Sequence, residues 1–345
     1  MTWQIVGYKH AIRQLKAGLK SERLSHAYLF VGPSHVGKST LALNLAQAVN
    51  CVSSSERPCG QCSQCCRTAS GLHPDFQVIN PLQADGSRRG IRMEDIRAVE
   101  HQIHLTPYEG SYRVFIFDGA ENMIKEVSNA LLKTLEEPPP RSLLILLATK
   151  DTDVLPTIIS RCQRISLHPL PQEDVLNYLS TNHSDDEPKL QIIARLSRGR
   201  LGWALLALRD PCILERRGIE LDRIIRLIDA SVEHRFNAAA DLASLFYKDR
   251  QATEEALEEW LFWWRDLLMV RQGAEGSVYN LDYMDVLRNQ ASRCSLKEIA
   301  DFVNNIYELL VALKHNANPK LTLEVLMLSM PNQKLVPQVS RPPME

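Results

Sequence analysis

Hydrophobic positions along this chain follow two different periods, and the place where one gives way to the other divides it. Over residues 1–168, helical spacing alternates with short unbroken apolar runs. Residues 9–20 form an amphipathic helix candidate, and residues 40–49, 93–101 and 122–137 also carry helical patterns. Residues 27–31, 114–117 and 143–148 are apolar runs bounded by polar residues, as in parallel strands buried on both faces; 76–79 is a further strand candidate. The helix over 122–137 stops at Pro138-Pro139-Pro140, since proline cannot continue a helical hydrogen-bond ladder. Strand–helix alternation predicts an α/β domain with a parallel sheet and helices on both faces.

Past Pro169 and Pro171 the strand signal fades. Residues 169–208 read as a small helical domain, Asp210-Pro211 marks a second break, and 209–332 read as a larger all-helical domain. Residues 333–345 hold three prolines and are expected to form a flexible tail. No internal repeat is visible.

Composition narrows the function classes. The 345 residues are 45% hydrophobic and 23% charged, with a formal net charge of -1. No whole-chain basic field points to nucleic acid, so any DNA contact must be local or shared with partners. No apolar run reaches the ~18 residues of a membrane span. The N-terminal MTWQIVGYKHAIRQLK has no apolar signal-peptide core. A cytoplasmic protein with reduced thiols is expected.

The stretch GPSHVGKST, Gly32 to Thr40, matches G-x-x-x-x-G-K-[ST] between a predicted strand and a predicted helix, the context a phosphate-binding loop requires. Gly32 and Gly37 let the backbone wrap around phosphates, with N–H groups and the helix N-terminus facing the anion. Lys38 would reach the β- and γ-phosphates and Ser39 would ligate Mg²⁺, with Thr40 closing the motif. Asp118, at the end of the apolar run in VFIFDGAENM, is the matching Mg²⁺ acid; capping of the next helix is its plainer role. The residue after it is Gly119, where a second acid would activate water. A missing general base typically removes about 10²–10⁴-fold of rate. Glu121, three residues past Asp118, is expected to point elsewhere.

CVSSSERPCGQCSQCC supplies a second chemistry. Cys59-x-x-Cys62-x-x-Cys65 is a tight knuckle, and Cys51 completes a four-thiolate set within a module at about 51–66. Four soft ligands suit a closed, structural tetrahedral Zn²⁺; reactive or disulfide-paired thiols are the alternative. Cys66 is surplus and could stand in for Cys65. Cys162, Cys212 and Cys294 are isolated and are expected to be small buried apolar groups.

These motifs, in this order, with IVG near the start, HAYLF before the loop, NALLKTLEEPP at 129–139 and LATKDTDVLPTIISRC at 147–162, resemble the clamp loader of bacterial DNA polymerase III, an AAA+ assembly. The likeness runs over nearly the whole chain and is greater to subunits of the delta-prime type, with the tau/gamma type as near relatives. It implies an AAA+ domain over 1–168, a lid over 169–208 and a collar for oligomerisation over 209–332. It implies ATP or ADP with Mg²⁺ at the loop, and a hetero-pentamer with tau/gamma and delta subunits that acts on the sliding clamp and primer-template DNA. Ser160-Arg161-Cys162 matches the family's SRC motif, whose arginine acts as a finger on ATP bound by a neighbour. Departures accompany the match. Asp118-Gly119 stands where motors have Asp-Glu. Gly202 stands at the sensor 2 arginine position, with Arg200 nearby. Sensor 1 falls at Thr149 or Lys150. These departures imply a scaffold with little or no ATPase activity of its own; an ATP-hydrolysing tau/gamma-type motor is the alternative, and any polymerase activity belongs to the holoenzyme.

Three features stay open between bland and specific roles. Arg88, Arg89, Arg92 and Arg97 could face DNA phosphates or form a solvated loop. The three tryptophans of EEWLFWWRDLL could anchor an interface or fill a core. His73-Pro74-Asp75 is expected to mark the turn that Pro74 imposes.

Overall fold

The apolar runs become the strands of one parallel sheet. The computed structural model describes residues 3–54, 56–79 and 90–331. In chain order the first unit contains α1 (Lys9–Lys20), β1 (Ala27–Val31), α2 (Lys38–Asn50), α3 (Ser63–Ala69), β2 (Phe76–Ile79), α4 (Met93–Ile103), β3 (Arg113–Asp118), α5 (Lys125–Glu136), β4 (Ser142–Ala148), α6 (Pro156–Ile159), β5 (Gln163–Ser166) and α7 (Gln172–Asn182). The strand order is β2-β3-β4-β1-β5, with every pairing parallel. All residues of β1 and β4 are buried, which explains their unbroken hydrophobicity: both faces are covered. Alternate side chains serve opposite faces. Phe30, Ile116 and Ile145 pack with Leu41 and Leu45 of α2 on one side. Leu29, Phe117 and Leu146 pack with Ile96 of α4 and Leu131 of α5 on the other.

Two compact units account for the chain: Met1–Asn182 with Ser197–Trp203, and His183–Leu196 with the residues from Ala204 onward. The expected lid, 169–208, thus contributes α7 to the first unit and α8 (Glu187–Leu196) to the second, while α9 (Leu201–Arg209) begins in the first. The second unit continues with α10 (Cys212–Ile228), α11 (Val232–Lys248), α12 (Arg250–Arg271), α13 (Met284–Arg293), α14 (Leu296–Lys314) and α15 (Pro319–Ser329). Trp260, Trp263 and Trp264 of α12 are fully buried. Trp264 meets Phe302 of α14 at 4.5 Å between ring centroids, and Trp263 donates its Nε1–H to Gln290 Oε1 at 3.1 Å. The tryptophans are therefore the core of this unit.

Among the described residues no helix is long and apolar enough to cross a membrane. Arg92 and Arg97 are exposed at the start of α4. Arg88 and Arg89 of the basic cluster, and the expected tail 333–345, lie outside the described residues. Of the isolated cysteines, Cys294 is buried and burial pushes the half-buried Cys162 thiol up to about 12, as expected of apolar groups. Cys212 departs from that expectation. It begins α10 at the exposed Asp210-Pro211 break and is itself exposed.

Candidate functional site

The loop expected to hold phosphate lies where the topology concentrates strand ends. β1 sits between β4 and β5, and residues on either side of its end are pinned: Gly32 N–H donates to Ala148 O at 3.1 Å, and Leu167 N–H donates to Val31 O at 2.7 Å. In a parallel sheet of this kind, ligands lie outside the carboxyl ends of the strands. Gly37 caps the N-terminus of α2 with a left-handed backbone at φ 110°, which glycine adopts without strain. Lys38 Nζ lies back across the loop, donating to Gly32 O at 2.5 Å and Pro33 O at 3.0 Å. Ser39 and Thr40 are exposed on the first turn of α2. From the other side, the Tyr8 hydroxyl reaches Val36 O at 3.1 Å and His168 O at 2.7 Å, and burial pushes it up to about 12.

Asp118 is the last residue of β3, in register with Leu147 of β4. This corner of the sheet holds the end of β4 between the loop that follows β1 and Asp118 at the end of β3. The residues around it were less foreseeable. Glu121 does not turn away. Its Oε1 accepts from both the N–H and the hydroxyl of Thr149, at 3.2 and 2.8 Å. A one-turn 3₁₀ segment over Ala120–Asn122 swings it back to the end of β4. At the position where the resemblance implies sensor 2, Gly202 donates its N–H to His35 O of the loop at 2.9 Å, and a Cβ there would come within 2.7 Å of that same oxygen. An arginine could not occupy this position without moving the loop. Arg200 does not replace it: its Nε donates to Ser197 O at 3.1 Å and its guanidinium lies over the Trp203 ring, 6.0 Å from the centroid.

Arg161 follows α6. Its Nη1 donates to Thr157 O at 2.9 Å, and its Nη2 pairs with Glu136 Oε1 at the end of α5, 2.6 Å away. Both side chains are substantially exposed, at 34% and 50%.

The cysteines form a separate centre. The sulfurs of Cys51, Cys59, Cys62 and Cys65 all lie within 4.8 Å of one another, with Cys51–Cys62 and Cys59–Cys65 at 4.0 Å. A tetrahedron with bonds of ~2.3 Å has edges of about 3.8 Å, so this four-thiol set can hold zinc. Successive turns aim backbone N–H groups at the sulfurs: Cys59 N to Cys51, Cys62 N to Cys59 and Cys65 N to Cys62, at 3.3–3.4 Å. The N–H groups of Gln61 and Cys62 pull the Cys59 thiol down to about 6, a thiolate-favouring setting of the kind that orients metal ligands. Cys66 stands outside the cluster, its Sγ directed at the carbonyls of Gly60 and Gln61.

His73-Pro74-Asp75 does more than turn the chain. Asp75 is buried and accepts the N–H groups of Tyr108, Glu109 and Gly110 at 2.7–2.9 Å, plus Arg113 Nη2 at 3.1 Å. Burial opposes ionisation, yet these donors hold its carboxyl below the ordinary range. His73 binds Gln64 of α3, and burial holds it below the usual histidine value. The triplet therefore ties the cysteine module to the sheet. A short turn motif carried no sign of donors more than thirty residues away.

Comparison with known proteins agrees with this arrangement. Residues 7–171 match the family model described as DNA polymerase III, delta subunit, and residues 224–331 match that of the delta subunit, C terminal. The chain is 27% identical over 317 residues to DNA polymerase III subunit delta' of Bacillus subtilis (strain 168), covering 92% of this chain and 94% of that protein. It is 34% identical over 249 residues to DNA polymerase III subunit tau of Escherichia coli (strain K12), covering 66% of this chain but only 38% of that protein. A DNA polymerase III gamma subunit-related protein of Thermotoga maritima aligns in structure at TM-score 0.42 and 18% identity, over 93% of this chain and 100% of that one. With a phosphate loop after β1, an acid at the end of β3 and both family models in chain order, the chain has the AAA+ fold and belongs to the clamp-loader family of bacterial DNA polymerase III.

Proposed function

We propose that this chain is a delta-prime-type clamp-loader subunit, a scaffold that supplies Arg161 in trans to ATP bound by a neighbouring motor. In this reading it assembles with tau/gamma and delta subunits into a hetero-pentamer. The assembly places the sliding clamp on primer-template DNA. Residues 1–168 form the nucleotide-binding domain, 169–208 the lid and 209–332 the collar. The loop from Gly32 to Thr40 holds ATP or ADP, with Ser39 and Asp118 toward Mg²⁺, and Cys51, Cys59, Cys62 and Cys65 hold a structural Zn²⁺.

The observation that carries the reading is the state of the corner beside Asp118. Gly119 offers no base, and Glu121, brought back to the end of β4, is committed to Thr149. A site so furnished would bind nucleotide and hydrolyse it slowly. Arg161 fits the complementary role: it stands at an exposed helix end on a pair that solvent weakens, so a neighbour's phosphates could draw it away. An intact Lys38 and the likeness to tau favour the alternative, an ATP-hydrolysing motor of the tau/gamma type. Steady-state ATPase assays on the isolated chain, with nucleotide-binding calorimetry, separate the two. Binding without appreciable turnover is expected; turnover at the rate of a motor subunit overturns the scaffold reading.

A further inference from the structure

β4 lies between β1, which feeds the phosphate loop, and β3, which ends in Asp118. Its last residue, Ala148, pins Gly32 through its carbonyl. Thr149 is the next residue, so it follows the strand that lies between the one feeding the phosphate cradle and the one ending in the metal acid. That is where the terminal phosphate of a nucleotide and its cation would meet. A donor there would tell a triphosphate from a diphosphate. Yet both donors of Thr149 are already used. A hydroxyl carries one proton, and Glu121 Oε1 takes it at 2.8 Å, with the Thr149 N–H at 3.2 Å on the same oxygen. Hydrogen bonds to a carboxylate are stronger than neutral ones, so a phosphate oxygen would gain little by displacing this one. The other oxygen, Glu121 Oε2, is buried and makes no hydrogen bond among the described residues; the carboxylate is therefore held by Thr149 and not drawn off by another side chain.

We propose that Glu121 is a specificity-determining residue that makes this site indifferent to the terminal phosphate: by holding the Thr149 hydroxyl, it removes the donor that would favour nucleoside triphosphate over diphosphate. The proposal rests on the reading of the loop as a nucleotide site and adds to it. The chain would keep one conformation whether ATP or ADP is bound, as suits a part that must not cycle.

The test is calorimetric titration of the full chain with Mg·ATP and with Mg·ADP. The wild type is expected to bind the two within about twofold. Glu121→Ala frees Thr149, and the ratio of affinities should shift toward ATP by about tenfold, the scale of one hydrogen bond to a charged acceptor. Glu121→Met, which fills the space without an acceptor, should give the same shift and serves if the alanine variant does not fold. Glu121→Gln keeps an acceptor oxygen and should restore the wild-type ratio. Adding Thr149→Ala to Glu121→Ala should cancel the gain. An unchanged ratio in a folded, nucleotide-binding Glu121→Ala or Glu121→Met overturns the proposal alone, as does a gain that survives Thr149→Ala or a wild type that already prefers ATP tenfold. Absence of binding in every variant overturns the nucleotide reading of the loop and this proposal with it.

Discussion

Arg161 Nη2 and Glu136 Oε1, 2.6 Å apart, join the end of α6 to the end of α5 across 25 residues of sequence. With a third to a half of each side chain in solvent, such a pair contributes only ~0–1 kcal/mol. Arg161→Ala should therefore leave the melting curve and nucleotide affinity of the isolated chain nearly unchanged. In a reconstituted assembly it should lower ATP hydrolysis and clamp loading. A single dominant finger contributes ~10³–10⁵-fold, and the observed loss should be smaller because only one of several ATP sites is affected. If loading falls only in step with the chain's own loss of stability, Arg161 is structural.

Lys38→Ala should abolish nucleotide binding by the isolated chain. Its ammonium lies on the loop, donating to Gly32 O and Pro33 O. Those carbonyls are neutral, and a phosphate oxygen makes a stronger, charge-assisted bond to an ammonium than they do. Calorimetry with Mg·ADP gives the answer, and unchanged affinity would mean that phosphates are not bound at this loop.

The cysteine cluster should bind one zinc per chain, and elemental analysis measures it. Well under half an equivalent, together with unchanged folding in chelator, would sink the structural-zinc assignment. Replacing Cys66 with serine should leave the content at one, since its sulfur faces carbonyls and not the other four.

Asp75 predicts an acid-sensitive tether. Its folded carboxyl is held below the ordinary value, so its contribution is complete above the unfolded carboxylate range and is lost as pH falls through the folded value. Asp75→Asn should cost ~3 kcal/mol at neutral pH, the scale of breaking a buried charged network. Amide exchange at Tyr108, Glu109 and Gly110 should speed up, and the variant's remaining stability should depend less on acid. Unchanged protection of those three amides would show that the network is dispensable.

How far the sequence carried depended on how local each feature is. β1, β3 and β4 were legible as unbroken apolar runs because they are buried on both faces. β5 was not: it is an edge strand with only Ile165 buried, so Gln163, Arg164 and Ser166 masked it. α3 hid inside the cysteine module, where the Cys62 sulfur accepts the Cys65 N–H and serves as its N-cap. The loop and the knuckle are contiguous and spoke through spacing. Glu121 and Asp75 speak only through partners 28 and 33–38 residues away, and no spacing rule reaches that far.

Gly119→Glu is the reciprocal test of the corner. It places a carboxylate where motor subunits carry one, so a site lacking only its base should gain about 10²-fold or more in ATP hydrolysis. The geometry argues for far less. Gly119 has φ 81°, in the left-handed region, and a side chain there strains the backbone by ~1 kcal/mol or more. Glu121 continues to hold Thr149, and Gly202 continues to exclude an arginine from the loop. The variant should therefore be somewhat less stable than the wild type, and its ATPase rate should rise less than about tenfold if at all, since the base is one of several missing parts. Steady-state turnover and thermal unfolding, measured on the same preparation, decide it. A rise to motor-like rates would show that the glycine alone silences the site, and that Glu121 and Gly202 are bystanders.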